Sequence, residues 1–165
     1  MYRRKMPEVP EKGCTERNLL VTARPGGHAA AWTEGSGVSG IDECLLRAMA
    51  LPGARGAALV EWVSGLALGV VGEAAGGDHE VVAAETAAYA RATAEHPVFT
   101  ADQDGPGPAA QEVVVVTGTG YHLLRFTEAP YEGGVFLYLW LDREQANLAL
   151  AMRGLRALAE GLVLV

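Results

Sequence analysis

The feature that most constrains the fold is an alanine-rich segment, residues 78–96, which carries the longest uninterrupted helical signal before the C-terminus. Asp78 is suited to cap this helix, and Pro97 ends it, because the residue before a proline avoids helical backbone angles. Four alanines recur at helical spacing and form one narrow stripe: Ala83, Ala87, Ala90 and Ala94. Most of the remaining circumference is also apolar or small. Such a helix is buried on more than one face, so we expect its own sheet to cover one face and a second protein surface to cover another.

Composition excludes several classes of function. The 165 residues are half apolar and one fifth charged, which suits one globular domain with a substantial core. The net charge of −7 disfavours sequence-independent binding of nucleic acid. The longest strongly apolar run, residues 135–141, is far shorter than the roughly 20 residues that span a bilayer. We therefore expect a cytoplasmic protein with reduced cysteines at positions 14 and 44, which binds neither nucleic acid nor a membrane.

The charge distribution divides the chain into two parts. Residues 1–38 hold six basic and four acidic side chains, contain several prolines and glycines, and show no sustained periodicity. The rest of the chain holds seven basic and sixteen acidic side chains. We expect residues 1–38 to form a mostly disordered tail and residues 39–165 to form the folded domain.

Periodicity in the first half of the domain predicts a helix and a hairpin before the alanine-rich helix. Apolar residues at helical spacing place a helix at residues 41–49, with Ser39 as a candidate cap. Two short apolar runs, residues 55–61 and 66–71, flank a turn that ends in Gly65. This pattern is typical of a β-hairpin.

The second half of the domain predicts three strands and a last helix. Residues 98–109 read as a surface loop, and apolar runs at 112–117, 121–128 and 135–141 then follow closely enough to form an antiparallel meander. Asp142 with Gln145 matches a capping box that would open a helix reaching about residue 162. Its apolar residues at helical spacing should face the sheet: Leu148, Met152, Leu155, Ala159 and Leu162. The predicted fold is α+β, a five-stranded antiparallel sheet with helices on its faces, in the order α-β-β-α-β-β-β-α.

Four segments carry a resemblance to a known family: PGARGAALVEWVSGLAL at 52–68, the helix at 81–94, VVVVTGTGYHLLRF at 113–126 and VFLYLWLDREQANLALAMRGL at 135–155. Their order and spacing resemble the roadblock (dynein light-chain) family, which includes bacterial gliding-motility regulators of Ras-like GTPases. Trp62 is a departure, because the family often has an acidic residue near this turn. The resemblance implies a roadblock/profilin-like fold and a dimer that binds a small GTPase or a motor. Actinobacterial members of the family are similar in composition and sit beside a Ras-like GTPase.

Dimerisation is also expected from the residues themselves. Four consecutive valines follow the long loop, which favours a position at the edge of the sheet: Val113, Val114, Val115 and Val116. An exposed apolar edge would template aggregation, and pairing with its copy across a two-fold axis would remove that hazard. The same axis would bring the two alanine stripes together, so we expect the stripe residues and the valines to form the dimer interface. The alternative is that the alanines only pack against the sheet of their own domain.

Polar side chains on the alanine-rich helix are the candidate partner-binding residues. Tyrosine and arginine are common interface anchors, which favours Glu85, Tyr89 and Arg91. The alternative is a packed tyrosine and a solvated arginine.

The search for catalytic or cofactor-binding chemistry finds no complete constellation. Residues 35–40 match G-x-G-x-x-G, but no strand precedes them and the next helix leads into a hairpin rather than a βαβ unit. The sequence has no P-loop, and its histidines lack metal-ligand spacing. We therefore expect no cofactor, no metal and no enzymatic activity. The preferred hypothesis is a homodimeric adaptor or regulator of a small Ras-like GTPase. The alternatives are a small-molecule sensor domain of PAS or profilin-like type and, third, an enzyme.

Overall fold

The computed structural model describes residues 40–102, 108–127, 134–162 and 164. The expected tail at 1–38, the candidate cap Ser39 and the glycine motif before position 40 lie outside the described residues. The elements within them are α1 (Ile41–Met49), β1 (Ala54–Glu61), β2 (Ala67–Gly72), α2 (His79–Ala94), α3 (Pro97–Thr100), β3 (Glu112–Val116), β4 (Gly120–Thr127), β5 (Val135–Asp142) and α4 (Leu148–Gly161).

The five strands form one antiparallel sheet in the order β2-β1-β5-β4-β3. Helices α1 and α4 pack on one face, where their buried residues share a core with alternate residues of the sheet. Helix α2 packs on the other face against the remaining residues. The predicted α+β fold and the predicted order of its main elements are therefore confirmed, and β3 lies at a sheet edge as expected.

Helix α2 begins as the sequence predicts but presents its alanine stripe to its own sheet. The Asp78 carboxylate accepts a hydrogen bond of 2.8 Å from the Glu80 amide and caps the first turn. The four stripe alanines are at most 4% exposed: Ala83, Ala87, Ala90 and Ala94. They have no surface left for a second protomer, so their assignment to the dimer interface is corrected. Their small side chains instead let α2 lie close to β1 and β2.

Helix α1 has the predicted bounds, Ile41–Met49, whereas two later helices differ from the predictions for local reasons. Helix α1 is preceded by Gly40 at the N-cap, without a side-chain cap. The short helix α3 occupies part of the expected loop, because the His96 imidazole accepts a hydrogen bond from the Val98 amide and Pro97 suits a first helical position.

The prediction of a capping box at Asp142 is wrong. Asp142 is the last residue of β5 and pairs with Gly120, and its carboxylate accepts from the Glu144 amide in the following turn. Helix α4 begins after Asn147, whose side-chain oxygen accepts a hydrogen bond of 3.1 Å from the Leu150 amide. All five residues predicted to face the sheet are buried or half-buried in the core on that side.

Substituting Ala87 with leucine tests which face of α2 meets the sheet. The added atoms must displace closely packed neighbours, so we expect the free energy of unfolding to fall by about 1–3 kcal/mol. The matched substitution Ala88→Leu lies on the exposed face and should change it by less than about 0.5 kcal/mol. Urea denaturation of both variants measures the difference. Equal losses in the two variants would contradict this orientation of the helix.

Candidate protein-protein interface

Among the described residues, strand β3 has one free edge, and its hydrogen-bond pattern identifies the backbone groups that face outward. The Thr117 amide donates to the Gly120 carbonyl at 2.9 Å, and the Phe126 amide donates to the Gln111 carbonyl at 3.1 Å. Bonded and non-bonded pairs alternate in an antiparallel ladder, so the residues between these positions alternate as well. The amides and carbonyls of Glu112, Val114 and Val116 therefore point away from β4.

The valine side chains of β3 divide between the two faces of the sheet. Val113 packs in the core under α2, and Val114 packs in the core under α1 and α4. Val116 is 54% exposed, and the strand carries neither proline nor lysine. An edge without these protective residues is suited to pairing with another strand.

The α2 face of the sheet is only partly covered by α2, which contacts β1 and β2. Farther across the same face, half-buried rings lie side by side on neighbouring strands: the Trp140 and His122 rings are 6.2 Å apart and 9° from parallel. The Arg55 guanidinium lies 4.2 Å from the centre of the Trp140 ring. This aromatic row, Arg55–Trp140–His122, leads towards Val115 at the free edge.

A part-buried hydrogen bond links the row to the core under α2. The His122 Nδ1 and the Tyr138 hydroxyl are 2.8 Å apart. Burial lowers the pKa of His122 and raises the pKa of Tyr138 to about 12, so both groups are held in their neutral forms near pH 7. In a neutral pair of this kind one group donates the hydrogen bond and the other accepts it. Another chain could therefore cover the pair without burying a charge.

Two of the three predicted partner-binding residues lie on the outer side of α2. Glu85 is exposed and Tyr89 is 51% exposed, so both are available to a partner. Arg91 is half-buried, and its guanidinium donates a hydrogen bond of 3.0 Å to the Val63 carbonyl in the β1–β2 turn. Arg91 therefore already contributes to packing within the domain.

The aromatic row was not predicted from the sequence. His122 and Trp140 are 18 positions apart, and only the register between β4 and β5 makes them neighbours. Alternation within each strand could have placed both residues on one face, because each lies at even spacing from residues such as Leu124 and Tyr138 in the α2-side core. The pairing that joins them depends on the loop between the strands.

The chemistry available elsewhere is limited. Within the described residues, no group of three histidine, cysteine, aspartate or glutamate side chains is placed to hold a metal ion. Burial raises the pKa of the Cys44 thiol to about 11, so it is a weak nucleophile at neutral pH. None of the helices in the described ranges is long and apolar enough to cross a bilayer.

Comparison with solved structures identifies the fold. A Roadblock/LC7 domain from Streptomyces avermitilis matches 73% of this chain and 92% of its own, with 19% identity and a TM-score of 0.52. The chain has the Roadblock/LC7 fold. The gliding protein MglB from Thermus thermophilus matches this chain over 72% of its length and 85% of the MglB chain, with 22% identity and a TM-score of 0.55. An MglB with a tetrameric arrangement gives the same coverages and TM-score, with 23% identity. No family model and no curated protein matches the sequence.

The environment of His122 makes the stability of this domain depend on pH. Its pKa lies below the ordinary value of 6.5 in the folded state, so the unfolded chain binds more protons in this range. The stabilisation is present above about pH 6.5 and is lost as the pH falls through the folded-state pKa. We expect wild-type protein to lose stability between about pH 7 and 5, and His122→Gln to lose less. Urea denaturation across this range measures both slopes, and identical slopes would contradict the assignment.

Proposed function

We propose that the protein is a homodimeric, non-enzymatic adaptor or regulator of a small Ras-like GTPase. The observation that carries the proposal is the free edge of β3 beside the partly covered α2 face of the sheet. The resemblance to the roadblock family, with its regulators of Ras-like GTPases, supports the choice of partner.

Dimerisation would proceed by pairing of β3 with β3 of a second copy. The outward amides and carbonyls of Val114 and Val116 would form hydrogen bonds across the two-fold axis and extend the sheet to ten strands. The aromatic rows of the two copies would then approach each other across the paired edge, because Val115 lies between His122 and that edge. Each α2 would lie away from the axis, over β1 and β2, so neither its buried alanine stripe nor its exposed side would take part in the paired edge.

The GTPase would bind the helical side of the dimer. Val81, Glu85 and Tyr89 give the outer side of α2 an apolar surface with one charge. Tyrosine is a frequent anchor at the centre of interfaces. Contact with the switch regions of the GTPase would favour one of its conformations over the other, because a ligand shifts a population by binding one state more tightly.

The substitution Val116→Pro tests the paired edge. It removes an outward amide hydrogen but no hydrogen bond to β4, and proline is tolerated on edge strands. We expect light scattering to give the mass of two chains for wild-type protein and of one chain for the variant, at the same protein concentration.

Val70→Pro is the matched control, because it makes the same change on the other edge strand, β2, and should leave the dimer intact. A Val116→Pro variant that dimerises as tightly as wild type would contradict β3 pairing. A wild-type monomer whose melting temperature rises with a metabolite would favour the small-molecule sensor instead.

Pull-down experiments test the GTPase partner. Small Ras-like GTPases encoded beside this gene are loaded with GDP or a GTP analogue and mixed with the protein. We expect binding in one nucleotide state, weakened by about ten-fold or more in Tyr89→Ala. Leu150→Ala, which removes an exposed apolar side chain from α4, is the control and should bind normally. Absence of binding in both nucleotide states would count against the proposal.

A further inference from the structure

Within the part of the chain that the structure describes, the sheet has a second free edge, at β2, which the proposed dimer does not use. The Glu73 amide donates to the Arg55 carbonyl at 2.8 Å, so these residues form a hydrogen-bonded pair of the β1–β2 ladder. The register places Val70 opposite Ala58, three pairs farther along. Because bonded and non-bonded pairs alternate, Val70 belongs to a non-bonded pair and its amide and carbonyl point away from β1.

This edge lacks the features by which proteins usually protect edge strands. Strand β2 has the sequence ALGVVG, with no charge and no proline. Leu66 is 61% exposed and Val70 is 43% exposed, so apolar side chains border the free backbone. They line a groove of about 720 Å³ between the strand and the start of α2, where His79 and Glu80 form its other side.

The start of α2 limits the groove at one end and gives it a charge. The His79 Nε2 lies 3.1 Å from the Gly72 carbonyl and donates to it, so this outward acceptor is already occupied. The exposed carboxylates of Asp78 and Glu80 lie on either side of His79 in the chain. A second copy of the domain would bring the same carboxylates to the edge, and like charges oppose such pairing. A segment carrying lysine or arginine would be attracted.

We propose that the β2 edge binds an extended, basic-flanked segment of another protein by strand addition. The backbone of the segment would bond to the amide and carbonyl of Val70, and its apolar side chains would cover Leu66 and Val70. Basic residues at its ends would lie near Asp78 and Glu80. This site goes beyond the proposed GTPase interface, since it remains free when β3 is paired, and each dimer would present two such edges.

A labelled synthetic peptide tests the proposal directly. The probe alternates valine with threonine and carries two lysines at each end; the control peptide has glutamates in place of the lysines. Fluorescence anisotropy with the full-length protein should show saturable binding of the lysine peptide and about ten-fold weaker binding of the glutamate peptide. Equal binding of both peptides, or no binding of the lysine peptide, would overturn the proposal.

Variants of the protein locate the site. Val70→Pro should weaken binding of the lysine peptide about ten-fold or more, because it removes an outward donor. Leu66→Ser changes only an exposed side chain and should weaken binding several-fold, so the result does not depend on how well the proline variant folds. Val116→Pro should bind the peptide as wild type does.

The readouts separate this site from the dimer. If the lysine peptide binds Val70→Pro and Leu66→Ser with the same affinity as wild type, its site lies elsewhere and the proposal is overturned. A fall in molecular mass on Val70→Pro would assign the edge to a second copy and would also overturn it. If both interfaces exist, we expect only Val116→Pro to lower the molecular mass from two chains to one, and we expect it to leave peptide binding unchanged.

Discussion

The structure depends on the burial of β5 between β1 and β4. Residues 135–139 of this strand are all buried, so both of its faces are apolar and each needs a cover. Helices α1 and α4 cover one face, and α2 with the neighbouring side chains covers the other. Because the last strand in sequence takes the central position, the hairpin partner β2 and the meander strand β3 are left at the two edges.

The two edges have different surroundings, and we propose different roles for them on that basis. Strand β3 continues a run of half-buried aromatic and apolar side chains on the α2 face, which favours a flat, extended contact with a copy of itself. Strand β2 is bordered by a groove and by carboxylates at the start of α2, which opposes self-pairing and favours a basic segment. One sheet can therefore hold two kinds of strand partner without competition between them.

The alanines of α2 act by their small size. They allow the helix to lie close to β1 and β2, as the tight position of Gly65 shows: a Cβ there would come within 3.2 Å of the Ala84 backbone. Although α2 packs closely against the sheet, its outer side, which includes Val81 and Tyr89, is exposed to solvent. A second surface that covered α2 would therefore lie on the side opposite the alanine stripe.

The sequence by itself determined the elements, their order and most of their ends, because periodicity, turn residues and the Asp78 cap act locally. It also placed the valines of β3 at an edge. Only the tertiary structure decided which of several apolar stripes of α2 faces the sheet, since their sequences are too similar to distinguish. The N-cap of α4 is Asn147 rather than the predicted Asp142, because pairing with Gly120 keeps Asp142 in β5. Only the tertiary structure placed His122 beside Trp140. Long-range packing sets the register of the strands, and neither strand alone carries a signature of that register.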